Sequence, residues 1–277
     1  MKLNNTFILI DAGGISKSVG WKKAHEVIER AVNGMSWPAG SKKGLVIPRI
    51  VRIKKGATYA DQDGKTLVWG GRKDLTLRNG VVPLKLLFRN RLKDAGWNSE
   101  EPLSLTPYFQ KIRADKTLAQ VFRYPERRSE AIQDPLHEGV GDFDFWLRSA
   151  EGFRTVIEWE TGNISSSHRS LNKVCLALMG ELIDAAVVIV PSNKLKVHLT
   201  DRVGNIRELQ PYFYFWSAFG RSLKRGLLAV IEVEQDALIE SVDERDFIPR
   251  GEDGNAFRLA SRKIKTPQAR KRAKPSA

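Results

Sequence analysis

Two runs decide the fold: Phe143-Asp144-Phe145-Trp146-Leu147, and Phe153-Arg154-Thr155-Val156-Ile157-Glu158-Trp159-Glu160. Both are aromatic and β-branched, the side chains that fit a pleated surface. Between them Ser149-Ala150-Glu151-Gly152 reads as a tight turn, with Gly152 free to take the backbone angles such a turn needs. The spacing therefore predicts an antiparallel hairpin closing on a three-residue loop, Ala150 to Gly152. In that register Asp144 lies opposite Glu158, and Asp142 opposite Glu160. Because side chains alternate along a strand, the four carboxylates are expected on one face and Phe143, Phe145 and Trp159 on the other. Like charges directly opposed weaken a sheet, so the pattern makes sense if a hard cation neutralises it. Magnesium is the expected ion.

Working outward, Leu171, Val174, Cys175, Leu178 and Leu182 recur at helical spacing, and Ala185 to Val190 is a fully apolar strand ended by Pro191. The order strand, strand, helix, strand is α/β in character. Upstream, Phe7 to Ile10 reads as a short buried strand, followed by a Gly13-Gly14 turn and a helix with Trp21, Ala24, Ile28 and Ala31 on one face. Asp11-Ala12-Gly13-Gly14 is a structural turn, because it lacks the lysine of a Walker loop and the third glycine of a dinucleotide fingerprint. Residues 49 to 80 read as loops or a small hairpin. Pro83 opens a helix that runs to about Ala95, ends at Gly96, and is expected to present Lys85, Arg89, Arg91 and Lys93 as a basic outer surface. Residues 99 to 138 predict no defined element.

Composition narrows the partners. The 277 residues are 42% hydrophobic and carry 46 Lys plus Arg against 32 Asp plus Glu, a net charge of +14. Such an excess favours a polyanionic partner, since each neutralised phosphate releases counterions. Residues 1–260 are expected to form a single domain with its core at about 80–235. Residues 261–277, with seven basic and no acidic residues, read as a flexible arm. The lone Cys175 excludes an internal disulfide and a multi-cysteine zinc site. With no membrane-length apolar run and no signal-peptide core, a cytoplasmic protein is expected.

A cation held by Asp144 and Glu158, and by Asp142 if it joins them, suits phosphodiester hydrolysis: it polarises the phosphoryl group and acidifies water. Glu160 is then the general base or a ligand to a second metal. Exposed acids on a solvated strand explain one or two carboxylates better than four. A paired-carboxylate glycosidase also needs nearby carboxyls, but the positive balance of the chain argues against a neutral sugar.

The string Asp144-Phe145 with Val156-Ile157-Glu158-Trp159-Glu160 resembles the PD-(D/E)XK nuclease core in its E-x-E variant, as found in the BamHI/BglII/BstYI-like type II restriction endonucleases. Thr161 to Arg169 and Leu199 to Asn205 extend the likeness, which is good over residues 139 to 216; Trp37-Pro38 and Asn79 to Trp97 add a little. The resemblance implies a mixed central sheet flanked by helices, magnesium as cofactor, and catalytic Asp144, Glu158 and Glu160. It also implies base reading by Asn163, Ser165 and Arg169 and by Asp201-Arg202; His168, a lone histidine in a polar loop, reads by its residue type as a further DNA contact. Arginine suits guanine and asparagine suits adenine in the major groove, so the residue types fit independently; Ser165 to Ser167 capping the next helix is the plainer reading. Two features depart from the pattern: no lysine stands at the usual third catalytic position, and Phe143 replaces the proline before Asp144. A further acid from an earlier element falls to Glu130 or Glu138, and His137 and His168 are the histidines that could join a metal.

The family further implies cleavage of double-stranded DNA at a short palindrome centred on GATC, and hence a homodimer. A non-cleaving DNA-binding protein and a structure-specific repair nuclease are the competing readings.

Overall fold

The computed structural model describes residues 1–99, 142–160, 162–200 and 203–249. Glu130, His137, Glu138, Asp201, Arg202 and the basic arm fall outside these residues.

The centre is a six-stranded mixed sheet. Its strands are β1 (Lys2–Ala12), β7 (Asn98–Ser99), β8 (Phe145–Arg148), β9 (Arg154–Trp159), β10 (Ala185–Pro191) and β11 (Gly226–Glu234), in the order β1-β11-β10-β9-β8-β7. Strands β9, β10 and β11 run parallel, while β1, β8 and β7 add antiparallel edges. The short strands β2 (Val46–Pro48), β3 (Val51–Ile53), β4 (Thr58–Ala60), β5 (Thr66–Val68), β6 (Leu75–Leu77) and β12 (Ala237–Ile239) pair in twos outside it. The helices are α1 (Val19–Asn33), α2 (Val82–Lys93), α3 (Ile164–Met179), α4 (Asn193–Lys196), α5 (Ile206–Leu209) and α6 (Phe213–Phe219).

Helices cover both faces of the sheet, which is why β10 can be apolar throughout and buried at every residue. On one face Phe145, Ile157, Trp159, Val187 and Ile189 pack with Ile28 of α1 and Phe88 of α2. On the other, Val156, Val188 and Val230 pack with Leu171, Val174 and Leu178 of α3 and Trp216 of α6. Each fully buried aliphatic side chain contributes roughly 1.5–3 kcal/mol, so these two layers dominate stability.

The hairpin register is the one expected. Phe145 pairs with Ile157 and Arg148 with Arg154, Gly152 takes φ 82°, and Ser149 N donates to Phe153 O at 2.8 Å. The predicted α1 face is buried, and Ser18 caps that helix by accepting from Trp21 N at 3.1 Å. Gly13 and Gly14 both take left-handed angles, and the Asp11 carboxylate accepts from Ser16, the bonding of a turn.

Three expectations need correction. Strand β1 is long rather than short, and of its residues Ile10 alone is buried. It is an edge strand bonded to β11, so one flank and much of one face stay open. Phe143 does not share the layer of Phe145 and Trp159; it packs in the opposite one, because regular alternation begins only at Phe145. Lys85 turns toward the acids rather than standing on an outer basic surface.

Candidate active site

The acids meet where β9 ends. Glu158 faces α3, since its neighbours Ile157 and Trp159 fill the opposite layer. The Glu160 amide donates to Ile189 O at 3.0 Å, so β10 fixes the backbone just past the strand. Asp144 precedes β8, and its Oδ2 accepts from Trp159 N at 2.9 Å. That bond ties Asp144 to the middle of the Glu158-Trp159-Glu160 triplet. Its other oxygen, Oδ1, is 2.6 Å from Lys85 Nζ of α2.

Both glutamates are buried, at 5% and 6% exposure. Glu158 Oε1 lies 2.5 Å from Lys173 Nζ of α3, although the pair lacks the direction of a proper hydrogen bond. Ser167 Oγ donates to Glu160 Oε2 at 2.9 Å. Ser170 sits between the glutamates, its Oγ a long 3.4 Å from Glu158 Oε2 while its hydroxyl also stabilises ionised Glu160. Burial pushes the Glu158 carboxyl up to about 7; Lys173 opposes the rise, and the charges of Asp144 and Glu160 add to it. Burial likewise raises Glu160, against the hydroxyls of Ser170 and Ser167. Mutual repulsion is thus felt among three carboxylates.

Asp142 stands apart from them. It is exposed, and its tie to the cluster is its backbone carbonyl, which accepts from Lys173 Nζ at 2.7 Å. The four-acid face reduces to three for the reason that displaced Phe143: residues 142 to 144 precede the regular strand.

The N-terminus of α3 follows directly. Asn163, Ser165 and Arg169 are exposed there. Asn163 caps the helix, its Oδ1 accepting from Ser166 N at 3.2 Å, so the cap is the asparagine and not the serines. His168 is half-buried and packs against Tyr212 and Trp216, with ring centroids 4.6 and 5.2 Å away. Asp201 and Arg202 lie outside the described residues, but their flanks are held: Thr200 N donates to Asn79 O, and Gly204 N to Gly162 O.

Residues 1–255 match the family described as restriction endonuclease BamHI. The chain belongs to the BamHI restriction endonuclease family. The type II restriction enzyme OkrAI of Oceanobacter kriegii is 30% identical over 258 residues, covering 93% of this chain and all of that protein. BamHI of Bacillus amyloliquefaciens is 36% identical over 136 residues, 49% of this chain and 53% of that one. The structure of BglII complexed with a DNA 16-mer is more distant, with 11% identity and a TM-score of 0.46 over 86% of this chain and 78% of that one. Membership of the BamHI family makes the chain a DNA-cleaving hydrolase.

The donor set fits a hard divalent cation: three carboxylates, two of them buried and all repelling one another. As the side chains stand, no three acids, histidines or cysteines among the described residues enclose an ion, because Lys85 and Lys173 pair with Asp144 and Glu158. Both lysines escaped the sequence reading. Lys85 looked like one of a row of solvated charges, and its role depends on where α2 packs. Lys173 did carry a signal: with Ser167 and Ser170 it interrupts the apolar stripe of Leu171 and Val174.

Proposed function

We propose that this chain is a type II-like restriction endonuclease that hydrolyses phosphodiester bonds of double-stranded DNA, with magnesium held by Asp144 and Glu158. The observation that carries the reading is the bond from the Trp159 amide to Asp144, which places a third carboxylate at the E-x-E triplet. Magnesium, when bound, supplies stabilisation of phosphoryl charge and acidifies water. Glu160 accepts the proton of the attacking water, and burial, which raises its proton affinity, favours that role. Its second possible role is ligand to a further cation. Lys85, from α2, orients Asp144 through a charge-assisted bond.

Asn163, Ser165, His168 and Arg169 at the start of α3, with Asp201-Arg202, read bases in the major groove. The site is a short palindrome centred on GATC, and reading it takes a homodimer.

Plasmid DNA incubated with the protein, with and without magnesium, tests this. Discrete bands that need magnesium are expected. A smear would mean a nuclease indifferent to sequence. Intact DNA that is nonetheless retarded in a gel would mean a binding protein, the second reading, which is favoured by the two ammonium groups already paired with the acids.

A further inference from the structure

The helix that presents the candidate base-reading residues also grips the acids. Ser167, Ser170 and Lys173 recur every third residue along α3, and all three are buried, Lys173 at 7% exposure. They share one side of the helix, as residues three apart do. Ser167 donates to Glu160, and Ser170 lies between the two glutamates. Lys173 spans two segments. Its Nζ is 2.5 Å from Glu158 Oε1 on β9 and 2.7 Å from the carbonyl of Asp142, which opens the segment carrying Asp144. The Phe143 ring lies against the same ammonium, 4.6 Å from its centroid. One group therefore sets the spacing of the two strand ends that bear Asp144 and Glu158.

Burying an ammonium and two hydroxyls on a helix face otherwise made of Leu171, Val174 and Leu178 is costly unless each finds a partner. Here the partners are the acids themselves. Asn163, Ser165 and Arg169, on the same 16-residue helix, are exposed. One 16-residue helix thus carries both the exposed candidate DNA contacts and the buried grip on the acids, and rigid elements are one route by which two sites can be coupled.

We infer that Ser167, Ser170 and Lys173 are positioning residues, which set Glu158 and Glu160 for a divalent cation and transmit engagement of DNA at the exposed end of α3 to the acids. The inference rests on the reading above, that the acids bind the cation and that this end of α3 meets DNA. Residues standing behind metal ligands typically change metal affinity or activity by about 10- to 100-fold when removed.

Calorimetric titration of the DNA-free protein with Mn2+ tests the positioning. Lys173→Met and Ser170→Ala are each expected to weaken Mn2+ binding by about 10- to 100-fold, while Lys173→Arg, which keeps a cation and its donors, retains most of the affinity. A mere counter-charge would behave oppositely: Lys173→Met would bind Mn2+ more tightly because a competing cation is gone. That result, or unchanged affinity in both variants, overturns the proposal. Ser170→Ala leaves every charge in place and keeps the test valid should Lys173→Met fail to fold. Glu158→Gln distinguishes metal ligation from positioning. If it binds Mn2+ like the parent, the metal assignment fails and takes the proposal with it; if it alone loses Mn2+, the positioning role falls by itself. Transmission is read from a double-mutant cycle of Arg169→Ala with Ser170→Ala on single-turnover cleavage. Non-additive losses are expected, and strictly additive ones would overturn that part.

Discussion

Glu158 is a carboxylate in conflict with its surroundings: buried, beside two other acids, and opposed by one lysine. Folding raises its pKa from 4.5 to about 7. Between these values the folded protein holds a proton that the unfolded chain releases, so stability falls as pH rises through this window. The loss amounts to about 3 kcal/mol for a shift of this size. Urea midpoints of metal-free protein should decline from pH 5 to pH 7.5, and Glu158→Gln should flatten the decline; equal slopes in parent and variant would contradict it. For activity, Asp144→Asn and Glu158→Gln are expected to abolish cleavage while leaving DNA binding intact or tighter, since neutralisation also relieves repulsion of phosphates. Glu160→Lys should keep metal binding at the first site but lose most activity, because an ammonium cannot act as base or ligand. Cleavage at the parental rate by that variant would favour a one-metal mechanism. Asp144, Glu158 and Glu160 were legible as a set because the turn fixes the hairpin register, which brings the residue just before β8 next to the end of β9. Asp142 was misjudged where strand alternation was carried past the strand's beginning, and Lys85 and Lys173 were missed because a lysine's partner is decided by tertiary packing.

Elements show the same division. The hairpin, α1 and β10 follow from local pattern, whereas the length and exposure of β1 depend on its place at the sheet edge. Helix α3 was legible as an apolar helix, but not as the support of the acids. Its exposed start gives a prediction about reading rather than cutting. Losing a bidentate base contact costs about 1–3 kcal/mol at the cognate site alone. Arg169→Ala and Arg202→Ala should therefore narrow the ratio of cognate to random affinity, measured by competition in calcium; an unchanged ratio in both would place recognition elsewhere. Packing at the far end of the hairpin is equally specific. A Cβ on Gly20 of α1 would lie 2.5 Å from Phe153 Cγ, so Gly20→Ala must push helix and hairpin apart. A loss of about 1–3 kcal/mol in urea unfolding is expected.

At the level of the whole molecule, seven of the basic residues behind the net charge of +14 lie in the segment from Ser261, which has no acidic ones. Phosphate contacts add affinity without regard to sequence, and each contributes about −0.9 to the slope of log affinity against log salt. Removal of residues 261–277 should lower cognate and random affinities together and flatten the salt dependence. A selective loss at the cognate site would give the arm a reading role. Fold class and partner were legible from alternation, charge and motif; whether a second copy docks, and how, was not, because a dimer surface leaves no periodic trace. No helix among the described residues is long and apolar enough to cross a membrane. The central claim is that Asp144, Glu158 and Glu160 cut DNA with a divalent cation, and its most direct test is plasmid digestion by the parent and by Glu158→Gln across a magnesium titration, with binding of both followed in calcium. Discrete fragments from the parent that appear only with magnesium, and none from a variant that still binds, are the predicted result. Fragments formed in excess chelator, or at the parental rate by Glu158→Gln, would contradict it.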